Sequence, residues 1–276
     1  DICQRHVGVT DRRTICPKNE RCELKDTVRA LELDLTTPLN YHRRDLPIHT
    51  DDPFYDRDYN LCIVCVRCVR VCSEVRFDNA LSLVSRSGVA LVGTSHGTSL
   101  LESGCEFCGA CIDACPTGAL VERDYKWEKA AKEVKTTCTN CSVGCQMVME
   151  VNRLDKVVRM RGDMAGAANR GQACFKGKFG YDYPNHKSRI KYPMIRVNGD
   201  LIRVTWEQAL TTIAERIEST PKEQRAVIAS PRGTNEDAYV AQKMARVALG
   251  TNSIDSGLNR VPELNMGLYA AFGHSG

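Results

Sequence analysis

The chain has 276 residues, 42% of them hydrophobic and 26% charged, a composition that suits globular domains and excludes a disordered chain. No apolar run approaches the roughly 18 residues of a transmembrane helix, and a net charge of +4 with acids and bases intermixed gives no nucleic-acid patch. Fifteen cysteines are the anomaly.

The first residue is Asp1, not Met, and no signal peptide is visible, so the natural start is expected upstream. Residues 1–50 are polar and hold Cys3, Cys16 and Cys22; Thr27 to Leu35 alternates weakly, and Pro38 and Pro47 interrupt the stretch after it. Residues 51–125 carry two tight cysteine runs, with LSLVSR and VALVGTS between them predicting a hairpin around Ser87-Gly88. Residues 126–133, KWEKAAKE, read as a charged connector with helical tendency. In 134–185, QMVMEV and KVVRMRG predict strands flanking a polar turn at Asn152-Arg153. No cysteine occurs after residue 186. Trp206, Leu210, Ile213 and Ile217 recur at helical spacing, RAVIAS reads as a buried strand, and a helix is expected from Asn235 to Leu249. Strand followed by helix opens an α/β layer over 186–276.

An odd cysteine count is awkward for disulfides, and a chain this long needs no disulfide scaffold to hold its core. The thiols bunch at Cys62, Cys65, Cys68 and Cys72, then at Cys105, Cys108, Cys111 and Cys115, both with the spacing C-x2-C-x2-C-x3-C. Pro116 follows the second run; Ser73 stands in its place after the first. This is the two-cluster ferredoxin pattern, in which each fourth cysteine serves the other run's cluster. One [4Fe–4S] cluster then takes Cys62, Cys65, Cys68 and Cys115, and the other Cys105, Cys108, Cys111 and Cys72. Gly109, Ala110 and Ala114 leave room for backbone amides to approach the sulfurs. A third set, Cys138, Cys141, Cys145 and Cys174, has the spacing C-x2-C-x3-C-x28-C. Zinc also takes four thiolates, so a zinc-stabilised binding module is the competing reading.

From Cys138 to Cys174 and on through FKGKFGYDY, the sequence resembles the N-terminal cluster domain of molybdopterin oxidoreductases. Formate dehydrogenase large subunits and the large iron–sulfur subunit of respiratory NADH dehydrogenase share that domain. CEFCGACIDACPTGAL and KYPMIRVNGDLIRVTWEQAL strengthen the likeness to the formate dehydrogenase side. The resemblance implies α+β iron–sulfur modules, a two-cluster ferredoxin-like domain and a small β-rich [4Fe–4S] domain, leading into the start of an α/β molybdopterin-oxidoreductase domain. It also implies that the chain is the front portion of a larger subunit.

Lys176 matches the family lysine between cluster and pterin, which makes it the expected electron-relay and cofactor-binding residue; on its own it reads as a solvated member of a basic run with Lys178. Around TICPKNERCELKD the chain resembles a further cluster motif, His-x3-Cys-x2-Cys-x5-Cys. Cys16 and Cys22 fit its last two ligands, but Val9 and Arg13 occupy the His and first Cys positions, leaving Cys3 and His6 as substitutes. TNSIDSGLNR resembles the segment that brings cysteine or selenocysteine to the molybdenum or tungsten of a molybdopterin guanine dinucleotide centre; here Ser256 or Gly257 stands at that position. With the usual catalytic ligand missing, the sequence favours an electron-transfer subunit over a working molybdenum or tungsten enzyme using an altered ligand.

There is no H-E-x-x-H, Walker or nucleophile-elbow motif, and no G-x-G-x-x-G after a strand. Flavin or NAD(P) chemistry is therefore expected from partner subunits, or electrons from ferredoxin-like ones. Free thiols and iron–sulfur clusters point to a reducing compartment, the cytoplasm of an anaerobe.

Overall fold

The computed structural model describes residues 18, 22–33, 46–86, 88–94, 97–141, 143–230, 233–256, 266 and 270–271. The chain divides into two units, residues 1–137 with 145–185, and residues 138–144 with 186–276.

In the first unit, helix α1 (Glu23–Ala30) starts after Cys22, with Glu23 and Asp26 in its first turn and Arg29 in its last, matching the helix dipole. The weak alternation does not make Thr27 to Ala30 extended: they close this helix, and residues 34 and 35 lie outside the described residues. Strand β1 (Tyr55–Arg57) pairs antiparallel with β4 (Leu120–Glu122), so the segments flanking the two cysteine runs meet. Between them lie α2 (Arg67–Arg70), a π-helical turn at Val71–Val75, the hairpin β2 (Leu81–Arg86) with β3 (Val89–Thr94), and α3 (Ala110–Ala114). The hairpin is the expected one, with Gly88 at φ +78° in its turn. Tyr55, Leu81, Val92, Leu100, Ile112 and Leu120 form the core of this module.

Strands β5 (Lys132–Thr137), β6 (Gln146–Val151) and β7 (Val157–Gly162) make an antiparallel sheet in that order. Its β6–β7 turn falls where expected, and the Asn152 side chain accepts from the Leu154 and Lys156 amides at 2.9 and 3.0 Å. The helical tendency of 126–133 gives way: residues 126 to 131 are turn and coil, and Lys132 opens β5. Pairing from Lys132↔Val151 to Thr137↔Gln146 supplies a ladder that a weak local propensity cannot match. Helix α4 (Phe175–Phe179) comes next, with Cys174 as its N-cap.

In the second unit, β8 (Met194–Val197) and β9 (Asp200–Arg203) form a hairpin whose Asn198-Gly199 turn has both φ angles positive, +52° and +96°, as a two-residue hairpin loop requires. Helix α5 (Trp206–Ser219) begins with a capping box between Thr205 and Gln208. Strand β10 (Val227–Ile228), helix α6 (Asn235–Lys243) with its π-helical extension Met244–Ala248, and β11 (Ile254–Asp255) complete a β–α–β step, the strands parallel. The α5 stripe is helical as expected, yet Trp206, Leu210 and Ile213 remain 71, 58 and 54% exposed. Among the described residues, no helix is long and apolar enough to cross a membrane.

Candidate metal centres

The two cysteine runs repeat in conformation as well as in spacing. Val64 and Val66 in the first run, and Phe107 and Gly109 in the second, occupy equivalent positions with φ of +56, +62, +52 and +74°. For an L-residue the left-handed region costs about 1–2 kcal/mol, and a β-branched valine holds it only where its surroundings impose it. The local result is the same in both loops: the Val64 amide donates to Cys62 Sγ and the Phe107 amide to Cys105 Sγ, each at 3.3 Å. Val66 and Gly109 then serve as N-caps of α2 and α3, which carry Cys68 and Cys111.

The exits differ. After α2 the chain stays helical through Val71–Val75, so Cys72 lies inside a helical turn, and the Ser73 hydroxyl donates to the Val69 carbonyl at 3.1 Å. Helix α3 ends at Cys115, which is extended with φ −73° and ψ +120°, the conformation imposed on a residue that precedes proline. Cys115 lines a small cavity of about 20 Å³ together with Cys62, Cys65 and Cys68, walled by Tyr59, Val92 and Leu120. Cys72 lines a second, of about 10 Å³, with Cys105, Cys108 and Cys111 beside Tyr55, Leu81 and Gly109. The thiols stand around these cavities: among the described residues, no three Cys, His, Asp or Glu side chains gather closely enough to hold a single ion.

Burial pushes the Cys68 thiol up to about 12, reinforced by Cys115, Cys62 and Cys65. It pushes Cys105 up to about 11, with Cys108 and Cys72 among the contributing neighbours. Cys72 and Cys111 are raised for the same first reason. Near neutral pH, thiols so placed ionise only when a cation takes the charge. Four cysteines per cavity, apolar walls and amides aimed at sulfur fit an iron–sulfur cluster, which needs one thiolate per iron and hydrogen bonds to its sulfurs.

Of the N-terminal candidates, Cys3, His6 and Cys16 lie outside the described residues, as do Val9 and Arg13. Cys22 is buried and donates to the Pro116 carbonyl at 3.5 Å, while the Lys18 ammonium donates to the Cys115 carbonyl at 2.6 Å. Lys18 and Cys22 thus reach the exit of the second run. For the third set, Cys138 follows β5, Cys145 precedes β6 and Cys174 caps α4. Cys138 and Cys141 belong to the second unit, Cys145 and Cys174 to the first. Lys176 is exposed, its ammonium 5.9 Å from the Phe175 ring centroid. Ser256 follows β11, and its amide donates to Asp255 Oδ1 at 2.6 Å; Gly257 lies outside the described residues.

Sequence reasoning missed a buried ionic network beside the second cavity. The Lys178 ammonium donates to Asp113 at 2.6 Å and pairs with Glu122 at 3.0 Å. Arg159 reaches Glu122 and Asp113, both at 2.7 Å, and Glu150 at 3.1 Å; Tyr125 donates to Glu150 as well. Burial alone would raise the Glu122 carboxyl, but Lys178 and Arg159 outweigh it and hold the group well below the usual carboxylate range. The network ties α3 and β4 to β7 and α4.

Three family models match consecutive stretches of the chain: the ferredoxin-like domain of NADH-quinone oxidoreductase subunit 3 over 52–121, the molybdopterin oxidoreductase Fe4S4 domain over 131–186, and the molybdopterin oxidoreductase model over 189–268. By these matches the chain carries domains found in NADH-quinone oxidoreductase and in molybdopterin oxidoreductases. A subunit of an NADH-quinone oxidoreductase of Rhizobium meliloti is 36% identical over 87% of this chain and 28% of its own length. An NADPH-Fe(3+) oxidoreductase subunit alpha of Geobacter sulfurreducens is 36% identical over 76% of the chain and 24% of its own. A formate dehydrogenase-like protein of Staphylococcus aureus is 28% identical over 95% of the chain and 31% of its own. The chain therefore spans less than a third of the length of these relatives. The expected likeness to both the NADH dehydrogenase and the formate dehydrogenase sides holds.

Proposed function

We propose that this chain is an electron-transfer portion of a multi-subunit oxidoreductase, passing electrons one at a time along [4Fe–4S] clusters. The observation that carries the reading is the pair of four-thiol cavities, each completed by the fourth cysteine of the other run. In this reading Cys62, Cys65, Cys68 and Cys115 hold one cluster, and Cys105, Cys108, Cys111 and Cys72 hold the other. Each cluster, when bound, supplies a one-electron couple. The chain's own residues do the rest: the thiolates bind, the Val64 and Phe107 amides donate to sulfur and favour the more negative reduced state, and the apolar walls keep water away. A third cluster is assigned to Cys138, Cys141, Cys145 and Cys174 on the strength of the Fe4S4 match. A fourth is assigned to Cys3, Cys16 and Cys22 with help from His6, supported by Cys22 lying against Pro116.

Lys176 is the proposed relay residue beyond Cys174. With Ser256 or Gly257 where the family delivers cysteine or selenocysteine, formate is not oxidised here by the usual cysteine-ligated route. Electrons enter and leave through partner subunits with flavin, NAD(P) or ferredoxin-like centres, in the reducing cytoplasm. Metal analysis and mass spectrometry of released pterin on the anaerobically purified complex test this. Clusters without pterin, molybdenum or tungsten support the relay. Pterin with either metal, and clusters reduced by formate, would establish the enzyme instead.

A further inference from the structure

Two loops with the same backbone carry different residues at one position. Val66 and Gly109 both sit at positive φ as the N-caps of α2 and α3, yet valine is accommodated in the first loop and glycine occupies the second. The reason lies in α4. A β-carbon on Gly109 would stand 2.8 Å from Lys178 Cγ and 3.0 Å from its Cε, so the lysine stem rests on the bare glycine backbone. Beyond that contact the Lys178 side chain is wholly buried, and its ammonium meets Asp113, the residue midway between Cys111 and Cys115, at 2.6 Å.

Burying a charge is costly unless it is paired, and even well-made buried ion pairs are often matched or exceeded in stability by apolar replacements. Stability alone is thus a weak reason for an ammonium here. What the lysine does is local: from the helix that Cys174 caps, it shares with Arg159 the neutralisation of Asp113, a carboxylate inside a cluster-binding loop, and it also pairs with Glu122. Removing one of these cations leaves excess negative charge beside that loop, which would oppose addition of an electron because reduction makes the cluster more negative.

We propose that Lys178 is a positioning residue for electron transfer, which clamps the Gly109–Asp113 turn against α4 and, together with Arg159, neutralises Asp113 beside the cluster of Cys105, Cys108, Cys111 and Cys72. The proposal rests on the cluster assignment above. Lys178, and not only the exposed Lys176, is then the functional cation of the FKGKF helix.

The test is a redox titration followed by electron paramagnetic resonance on the anaerobic protein, comparing wild type, Lys178→Met and the double variant Lys178→Met with Asp113→Asn. Methionine keeps an unbranched stem over Gly109 and removes only the charge. With iron content unchanged, Lys178→Met should lower the reduced-to-oxidised ratio of that cluster at fixed potential by about three- to tenfold, tenfold being about 59 mV for a one-electron couple. The double variant should return toward wild type, which a purely packing role would not produce. Should Lys178→Met fail to take up iron, the double variant carries the test: it loads if charge is the issue, and its failure to load overturns the proposal. Unshifted potentials in a loaded Lys178→Met protein overturn it too, leaving the cluster assignment standing. A wild-type protein without iron removes that assignment and the proposal with it.

Discussion

The runs Cys62–Cys72 and Cys105–Cys115 share spacing, two left-handed residues at matching positions and an amide–sulfur hydrogen bond, and they part at the fourth cysteine. Ser73 lets the first run continue as helix, whereas Pro116 makes Cys115 extended. The shared part shows what spacing dictates, a loop that turns amides onto sulfur. The differing part shows that a fourth thiol reaches the opposite cavity from either kind of exit, so the proline is one solution and not a requirement.

The largest expected effect comes from the crossing itself. Cys115→Ala should cost the cluster held by Cys62, Cys65 and Cys68, and Cys72→Ala the other, about four irons each. Iron analysis with electron paramagnetic resonance decides it, since loss of the cluster of the mutated run would mean uncrossed ligation.

Next in size is the ionic network on the side of the second run. Glu122→Gln breaks a buried pair and should cost about 3–5 kcal/mol in urea unfolding. Because the folded Glu122 pKa is depressed, its stabilisation is full above the ordinary 4.5 and is lost as pH falls below it. The variant should therefore show a flatter acid limb.

Ser73→Pro imposes the second exit on the first run. A proline there should cost about 3 kcal/mol in urea unfolding. The converse change, Pro116→Ser, should cost under about 1 kcal/mol and leave the iron count unaltered, as Ser73 already does in the first run.

Between these in size lies an effect of pH on the iron-free protein. Folded Cys68 and Cys105 are raised to about 12 and 11 from an ordinary 9.0, so their protonated burial stabilises fully below pH 9 and is lost as pH rises through the folded values. Each thiol then contributes a slope of up to about 1.4 kcal/mol per pH unit. The loaded protein, its thiols already ionised on iron, should lack this alkaline limb.

The cysteine runs, the β2–β3 hairpin and the Asn152 turn were legible because each is written in residues a few positions apart. β5 was not: KWEKAAKE looks helical until the β6 edge, with Val151 and Glu150 lying 19 and 17 residues beyond Lys132 and Glu133, offers its end a ladder. In the sequence Lys178 is only a neighbour of Lys176 in a basic run, since only the fold brings Gly109 and Asp113 beneath it. The stripe of α5 was legible as a helix, but its exposure was not, because periodicity names a face and never the surface that covers it.

The account turns on what fills the cavities, and a combined iron, acid-labile sulfide and zinc determination on the anaerobic protein tests that directly. It predicts about twelve irons for three clusters, or about sixteen if the N-terminal site is filled, with equal sulfide. Stoichiometric zinc with iron and sulfide near zero would contradict it and make the chain a zinc-stabilised module.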